Sequence, residues 1–126
     1  MNAPENLKYS ESDEWVRQDG DIVTIGITDY AQHELGEVVY VELPEVGAQV
    51  SNNIAFGVVE SVKAVSELLA PVAGEVVEVN DSLTDDPAVI NESPFDNGWM
   101  IRVRLANRSA LDSLMDAEAY EKFRGQ

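Results

Sequence analysis

Short apolar runs, Ile22–Ile27, Val38–Val41 and Val76–Val79, constrain this chain more than anything else in it. Each is the length of one strand, and none approaches a membrane span. In the first run Ile22, Thr24 and Gly26 alternate with Val23, Ile25 and Ile27, so both faces are substantially apolar. A strand that needs cover on both faces belongs in a sandwich or a barrel. Turn signals at Asp19-Gly20, Pro44-Glu45-Val46-Gly47 and Asn52-Asn53 separate the runs. The 126 residues fit one domain, residues 1–126.

The reading along the chain is mainly β. Residues 1–13 are polar and are expected on the surface. Trp15-Val16-Arg17, Asp21–Ile27, Gly36–Leu43, Ile54–Glu60, Val65–Ala70, Gly74–Val79 and Trp99–Leu105 read as strands. Trp15 and Trp99 are expected as core anchors. A short helix is predicted near 28–35, with Thr28 as cap, Asp29 in its first turn and Gly36 as its end. Asn80–Asn97 reads as a long loop.

A C-terminal helix is predicted over 109–124. Ser109 with Asp112 would start it, and Leu111, Leu114, Met115, Ala119, Tyr120 and Phe123 would form its apolar stripe. Asp116 would cap a second segment if the helix breaks there. Gly36-Glu37-Val38-Val39-Tyr40-Val41 recurs as Gly74-Glu75-Val76-Val77-Glu78-Val79, which suits two similar β halves facing each other.

The net charge of −16 repels phosphate backbones and disfavours anionic membranes, so neither nucleic acid nor membrane is expected as a partner. It keeps a monomer soluble and suits basic docking patches. With no cysteine, thiolate metal sites and cysteine nucleophiles are excluded. No metal site is expected: His33 reads as a surface residue, and Asp85-Asp86 lacks the spacing of a calcium loop. Met1–Leu7 is polar and resembles no targeting segment, so the chain as given reads as cytoplasmic. A processed chain of the mitochondrial matrix would look the same.

Positive charge is distributed unusually. Between Arg17 and Arg102 the one Lys or Arg is Lys63, in a stretch that holds 16 of the 24 acids. Lys63 falls in Ser61-Val62-Lys63-Ala64, between two β-rich runs, which places it near a hairpin tip. By composition alone a solvated surface lysine explains it. A Schiff-base lysine needs an apolar pocket or a neighbouring cation. Here the neighbours are acidic and a turn leaves the amine in water, which suits an amine that another enzyme acylates.

Gly57-Val58-Val59-Glu60-Ser61-Val62-Lys63-Ala64 resembles the lipoylation motif of glycine cleavage H proteins. Asp13-Glu14-Trp15-Val16, Ile25-Gly26-Ile27-Thr28-Asp29-Tyr30-Ala31, Leu35-Gly36-Glu37-Val38-Val39 and Leu43-Pro44-Glu45-Val46-Gly47 look like that family's segments in order. So do Pro71-Val72-Ala73-Gly74-Glu75-Val76, Asn91-Glu92-Ser93-Pro94-Phe95 and Gly98-Trp99-Met100. The departures are Asp13, where the family usually has His, and Phe95, where Tyr is common.

The resemblance implies a lipoyl-domain barrel-sandwich hybrid with extra helices, and lipoate attached to Lys63. It implies a non-catalytic carrier whose arm shuttles the aminomethyl group of glycine. The partners it implies are a PLP-dependent glycine decarboxylase, an aminomethyltransferase using tetrahydrofolate, a dihydrolipoyl dehydrogenase and a lipoyl-attaching enzyme. It further implies a cleft for the loaded arm at the positions matching Ser12, Glu14 and Glu67, which are otherwise ordinary solvated polar residues. A lipoyl domain or lipoyl-relay carrier serving 2-oxoacid dehydrogenase complexes uses the same lysine. The lysine's neighbours, Val62 and Ala64, are unlike the Met pair of biotinyl domains.

Overall fold

In the computed structural model, which describes residues 2–125, the apolar runs form two antiparallel sheets with a common core. The larger contains β1 (Lys8–Tyr9), β2 (Glu14–Asp19), β3 (Ile22–Ile27), β5 (Gln49–Val50), β8 (Gly74–Val79) and β9 (Ile101–Leu105), in the order β1-β2-β3-β9-β8-β5. The smaller contains β4 (Val38–Glu42), β6 (Ala55–Ser61) and β7 (Val65–Leu69), in the order β4-β6-β7. Val23, Ile25, Val76, Ile101 and Val103 of the first sheet meet Val41, Val59 and Leu68 of the second between them.

A second apolar cluster meets the other face of β3 at Gly26, through Trp15. Leu7, Tyr9, Trp15, Phe95, Ala117 and Tyr120 form it apart from the inter-sheet core. Trp15 pairs with Gly26 across β2 and β3, and a β-carbon on Gly26 would come within 2.7 Å of the indole. The glycine thus lets the ring lie flat over the strand. Trp15 Nε1 donates to the Pro94 carbonyl at 2.9 Å, so the buried ring leaves no polar atom unpaired.

Helix α1 (Asp29–Leu35) forms as its end signals predict: Thr28 Oγ1 accepts from the Ala31 amide at 3.2 Å, and Gly36 ends it at φ +79°. The two copies of the internal echo lie in opposite sheets, as β4 and β8. Their glycines do different work. Gly36 supplies a left-handed turn, whereas a β-carbon on Gly74 would collide with the Arg104 carbonyl across the β8–β9 pair.

Four expectations need correction. Residues 1–13 are not all surface: Leu7 and Tyr9 are buried, and Lys8–Tyr9 pairs with Val16 and Trp15. The stretch Asn80–Asn97 is not structureless. It contains α2 (Ser82–Asp85) and α3 (Val89–Glu92), which bury Leu83 and Ile90 respectively. Trp99 is only half-buried; its ring stacks beneath the Arg102 guanidinium at 4.3 Å, while Met100 takes the core position.

The C-terminal helix is divided, which is the fourth correction. A 3-10 segment spans Arg108–Ser113, capped by Asn107, whose side chain accepts from the Ser109 amide at 2.9 Å; the Ser109–Asp112 start does not form. Met115 then runs extended to pair with Tyr9, and α4 (Ala117–Phe123) starts afresh at Asp116, whose carboxylate accepts from the Ala119 amide at 2.8 Å. The predicted stripe therefore divides. Leu111 enters the inter-sheet core, and Tyr120 enters the second cluster and stacks on Tyr9 at 4.7 Å.

Candidate functional site

The β6–β7 hairpin closes through Val62-Lys63-Ala64. The Ser61 amide donates to the Ala64 carbonyl at 2.8 Å. Ser61 Oγ accepts from the Lys63 and Ala64 amides at 3.2 and 3.1 Å, so a buried serine holds the turn from inside. The tip is also fastened sideways, because the Val62 amide donates to the Glu37 carbonyl at 3.0 Å.

That sideways anchor is itself pinned by Asn91. Its Oδ1 accepts from the Val38 amide at 2.9 Å, and its Nδ2 donates to the Gly36 carbonyl at 2.8 Å and to Gln32 Oε1 at 3.0 Å. One side chain thereby joins α3, the end of α1 and the start of β4. The Lys63 stem crosses this corner over Gly36. Its amine is exposed and forms no ion pair among the described residues.

A cleft of about 330 Å³ opens next to the tip. Its walls are the turn Ser12-Asp13-Glu14, the α1 residues Tyr30, Ala31, Glu34 and Leu35, and the hairpin from Ala64 to Leu68. Ile27, Val59 and Leu68 give it an apolar lining. Ser12, Glu14 and Glu67 all border it, so the residues singled out in the sequence come together in one depression. Ser12 and Glu67 are exposed, but Glu14 is not an ordinary solvated carboxylate: it is 2% exposed.

Glu14 is paired on every side. Its Oε1 accepts from Ser10 Oγ at 2.8 Å and from Ser12 Oγ, and its Oε2 accepts from the Leu69 amide at 3.3 Å. Burial pushes its pKa up to about 7, and the Asp13 charge adds to this, while the three hydrogen bonds pull the other way. The site therefore holds a carboxyl whose pKa burial raises to about 7, in a partly apolar cleft that reaches Ala64, the residue after Lys63.

The departures Asp13 and Phe95 are both structural. Asp13, at φ +74°, accepts from Tyr120 Oη and Arg124. Phe95 is buried against Trp15 at 6.1 Å. Sequence reasoning missed Ser10, Ser61, Tyr30, Glu34 and Asn91. The Ser10-x-Ser12-x-Glu14 spacing was the available signal for the first; Asn91 acts across 53 residues and had no local signal.

The glycine cleavage H-protein family model matches residues 7–126. The glycine cleavage system H protein of Geobacillus sp. (strain WCH70) is 58% identical over 122 residues, 97% of this chain and 96% of that one. The mitochondrial glycine cleavage system H protein of Oryza sativa subsp. indica is 58% identical over 118 residues, covering 94% of this chain and 72% of its own length. A solved glycine cleavage system H protein from Mycobacterium marinum superposes with a TM-score of 0.90 at 40% identity, covering 98% of this chain and 99% of that one.

Proposed function

The chain belongs to the glycine cleavage H-protein family, the carrier component of a multienzyme system, and we propose that Lys63 is the residue on which it carries lipoate. The observation that supports this most is the exposed, unpaired Lys63 amine at a tip fastened by Ser61 and Glu37, directly beside a cleft. A primary amine so presented fits an amide linkage to the lipoyl carboxyl, made by a lipoyl-attaching enzyme. When attached, lipoate supplies a disulfide that is reduced as it takes up a one-carbon unit and a dithiol that is afterwards reoxidised.

The chain's own residues hold, aim and shelter that arm. The hairpin keeps its root fixed while the arm swings between docked active sites, which raises the local concentration of its end at each. Glu14, ionised, accepts hydrogen bonds from a protonated amine returning to the cleft, and Glu67 adds a second negative charge at its mouth. An arriving ammonium stabilises the Glu14 carboxylate and draws its pKa back down. Ser12 contributes its hydroxyl beside Glu14. Ile27, Val59 and Leu68 exclude water from the apolar length of the arm.

In this reading the protein performs no catalysis of its own. It presents the aminomethyl group from glycine decarboxylase to the aminomethyltransferase and then the dithiol to dihydrolipoyl dehydrogenase. Its charge of −16 favours partners with basic docking surfaces. The compartment would be the bacterial cytoplasm or, for a processed chain, the mitochondrial matrix. Reconstitution with the three enzymes tests the role. Lipoylated protein should support tetrahydrofolate-dependent glycine cleavage and Lys63→Ala should support none; equal activity of the two would reject it.

A further inference from the structure

The last turn of the chain is tied to the cleft. Arg124 follows α4, and its Nε and Nη2 donate to the Asp13 carboxylate at 2.9 and 2.6 Å. Nη2 also donates to the Glu11 carbonyl at 3.1 Å. Tyr120 Oη donates to Asp13 Oδ1 at 2.8 Å and is within 2.7 Å of Thr28 Oγ1, the cap of α1. The Arg124 guanidinium lies 4.4 Å over the ring of Tyr30, which forms part of the cleft wall.

These contacts converge on a turn that also has bonds of its own: the Asp13 amide donates to the Ser10 carbonyl at 3.1 Å, and the Thr28 amide donates to the Asp13 carbonyl at 2.9 Å. Asp13 is at φ +74°, a left-handed conformation that side-chain-bearing residues adopt at a cost. It sits between Ser12 and Glu14, so its turn decides where both point. The ion pair is largely shielded, with side chains 22% and 16% exposed, unlike the exposed pairs Arg108–Asp21 and Lys122–Glu118. A planar fork on a carboxylate fixes direction as well as distance.

We propose that Arg124 is a positioning residue of the arm cleft: through Asp13, Glu11 and Tyr30 it holds the Ser12–Glu14 turn and the α1 wall in the arrangement that shelters the arm. The proposal rests on the cleft reading given above. It acts through other residues, since Arg124 itself does not border the cleft.

The test uses the full chain with Arg124→Gln, Arg124→Lys, Glu14→Gln and, as a control that removes an ion pair elsewhere, Arg108→Gln. The first readout needs no lipoate. Amide hydrogen exchange is followed at Leu69, whose amide is held by Glu14, and at Thr28, which is held by the Asp13 carbonyl at 2.9 Å. Arg124→Gln should speed exchange at both by about tenfold, Arg124→Lys by less, and Arg108→Gln not at all. The second readout takes fully lipoylated protein, as judged by intact mass, loads it from glycine, and follows ammonia release without a folate acceptor.

Release should quicken several-fold in Arg124→Gln and be partly restored in Arg124→Lys. Faster release in Glu14→Gln with wild-type behaviour in Arg124→Gln would overturn the proposal and leave the cleft reading standing. Unchanged release in both variants would overturn the cleft reading and the proposal with it. Quickening in Arg108→Gln equal to that in Arg124→Gln would reduce the effect to general destabilisation and also overturn the proposal.

Discussion

The stem of Lys63 lies across Gly36: a β-carbon built on that glycine would stand 3.5 Å from Lys63 Cε and 4.0 Å from Cδ. The glycine is also in the left-handed region, at φ +79°. One residue thus ends α1, turns the chain into β4 and forms the surface over which the lysine passes. Gly36→Ala should destabilise the fold by about 1 kcal/mol through backbone strain. Acylation of Lys63 should change little, because the added methyl would meet the exposed stem only at ordinary van der Waals distance. Urea unfolding and a timed lipoylation assay check the two expectations.

Asn91 fastens the same corner with three hydrogen bonds. Asn91→Ala leaves the Val38 amide and the Gly36 carbonyl without these partners. A loss of roughly 1–3 kcal/mol is expected for such a deletion. Amide exchange at Val62, which reports the tie of the hairpin tip to Glu37, should accelerate in the same variant, whereas that of Met100, bonded to Ile25 in the larger sheet, should follow global stability alone.

Burial makes Glu14 a source of pH-dependent stability. Its pKa is raised by folding from 4.5 to about 7, so the folded state holds the proton more tightly. The stabilisation is complete below 4.5 and is lost as pH rises through 7. Relative to Glu14→Gln, wild-type unfolding free energy should therefore fall between pH 4.5 and 8, by up to roughly 3 kcal/mol. The other carboxylates cancel in that difference. A difference that rises with pH would contradict the burial account.

The same titration should govern the cleft. Only the carboxylate of Glu14 attracts an ammonium, so retention of the amine should strengthen as pH rises through the neutral range. Glu14→Gln should flatten this dependence. Glu67→Gln, at an exposed position, should weaken retention by much less, because water screens its charge. Ammonia release from glycine-loaded protein across pH 6 to 8 measures both.

Periodicity and end signals carried the strands, α1 and the lysine hairpin, because each depends on neighbours within a few residues. Tyr9 escaped notice for the opposite reason. Its strand is two residues long, and its burial is set by Trp15 pairing, Met115 bridging and Tyr120 stacking. The break at Asp116 was legible as a second cap in the C-terminal stripe, but the extension of Met115 toward Tyr9 that accompanies it was not. The cleft was legible only through the family resemblance. That Glu14 is buried depends on Ser10, Ser12 and the Leu69 amide 55 residues away, which no local pattern encodes.

The most direct test asks which amine receives the lipoyl group. The full chain is incubated with lipoate, ATP and a lipoate ligase, its intact mass is measured, and any adduct is located by peptide mapping. The account predicts one lipoyl group, on Lys63, and none on Lys63→Ala. No adduct, or an adduct on Lys8 or Lys122, would contradict it.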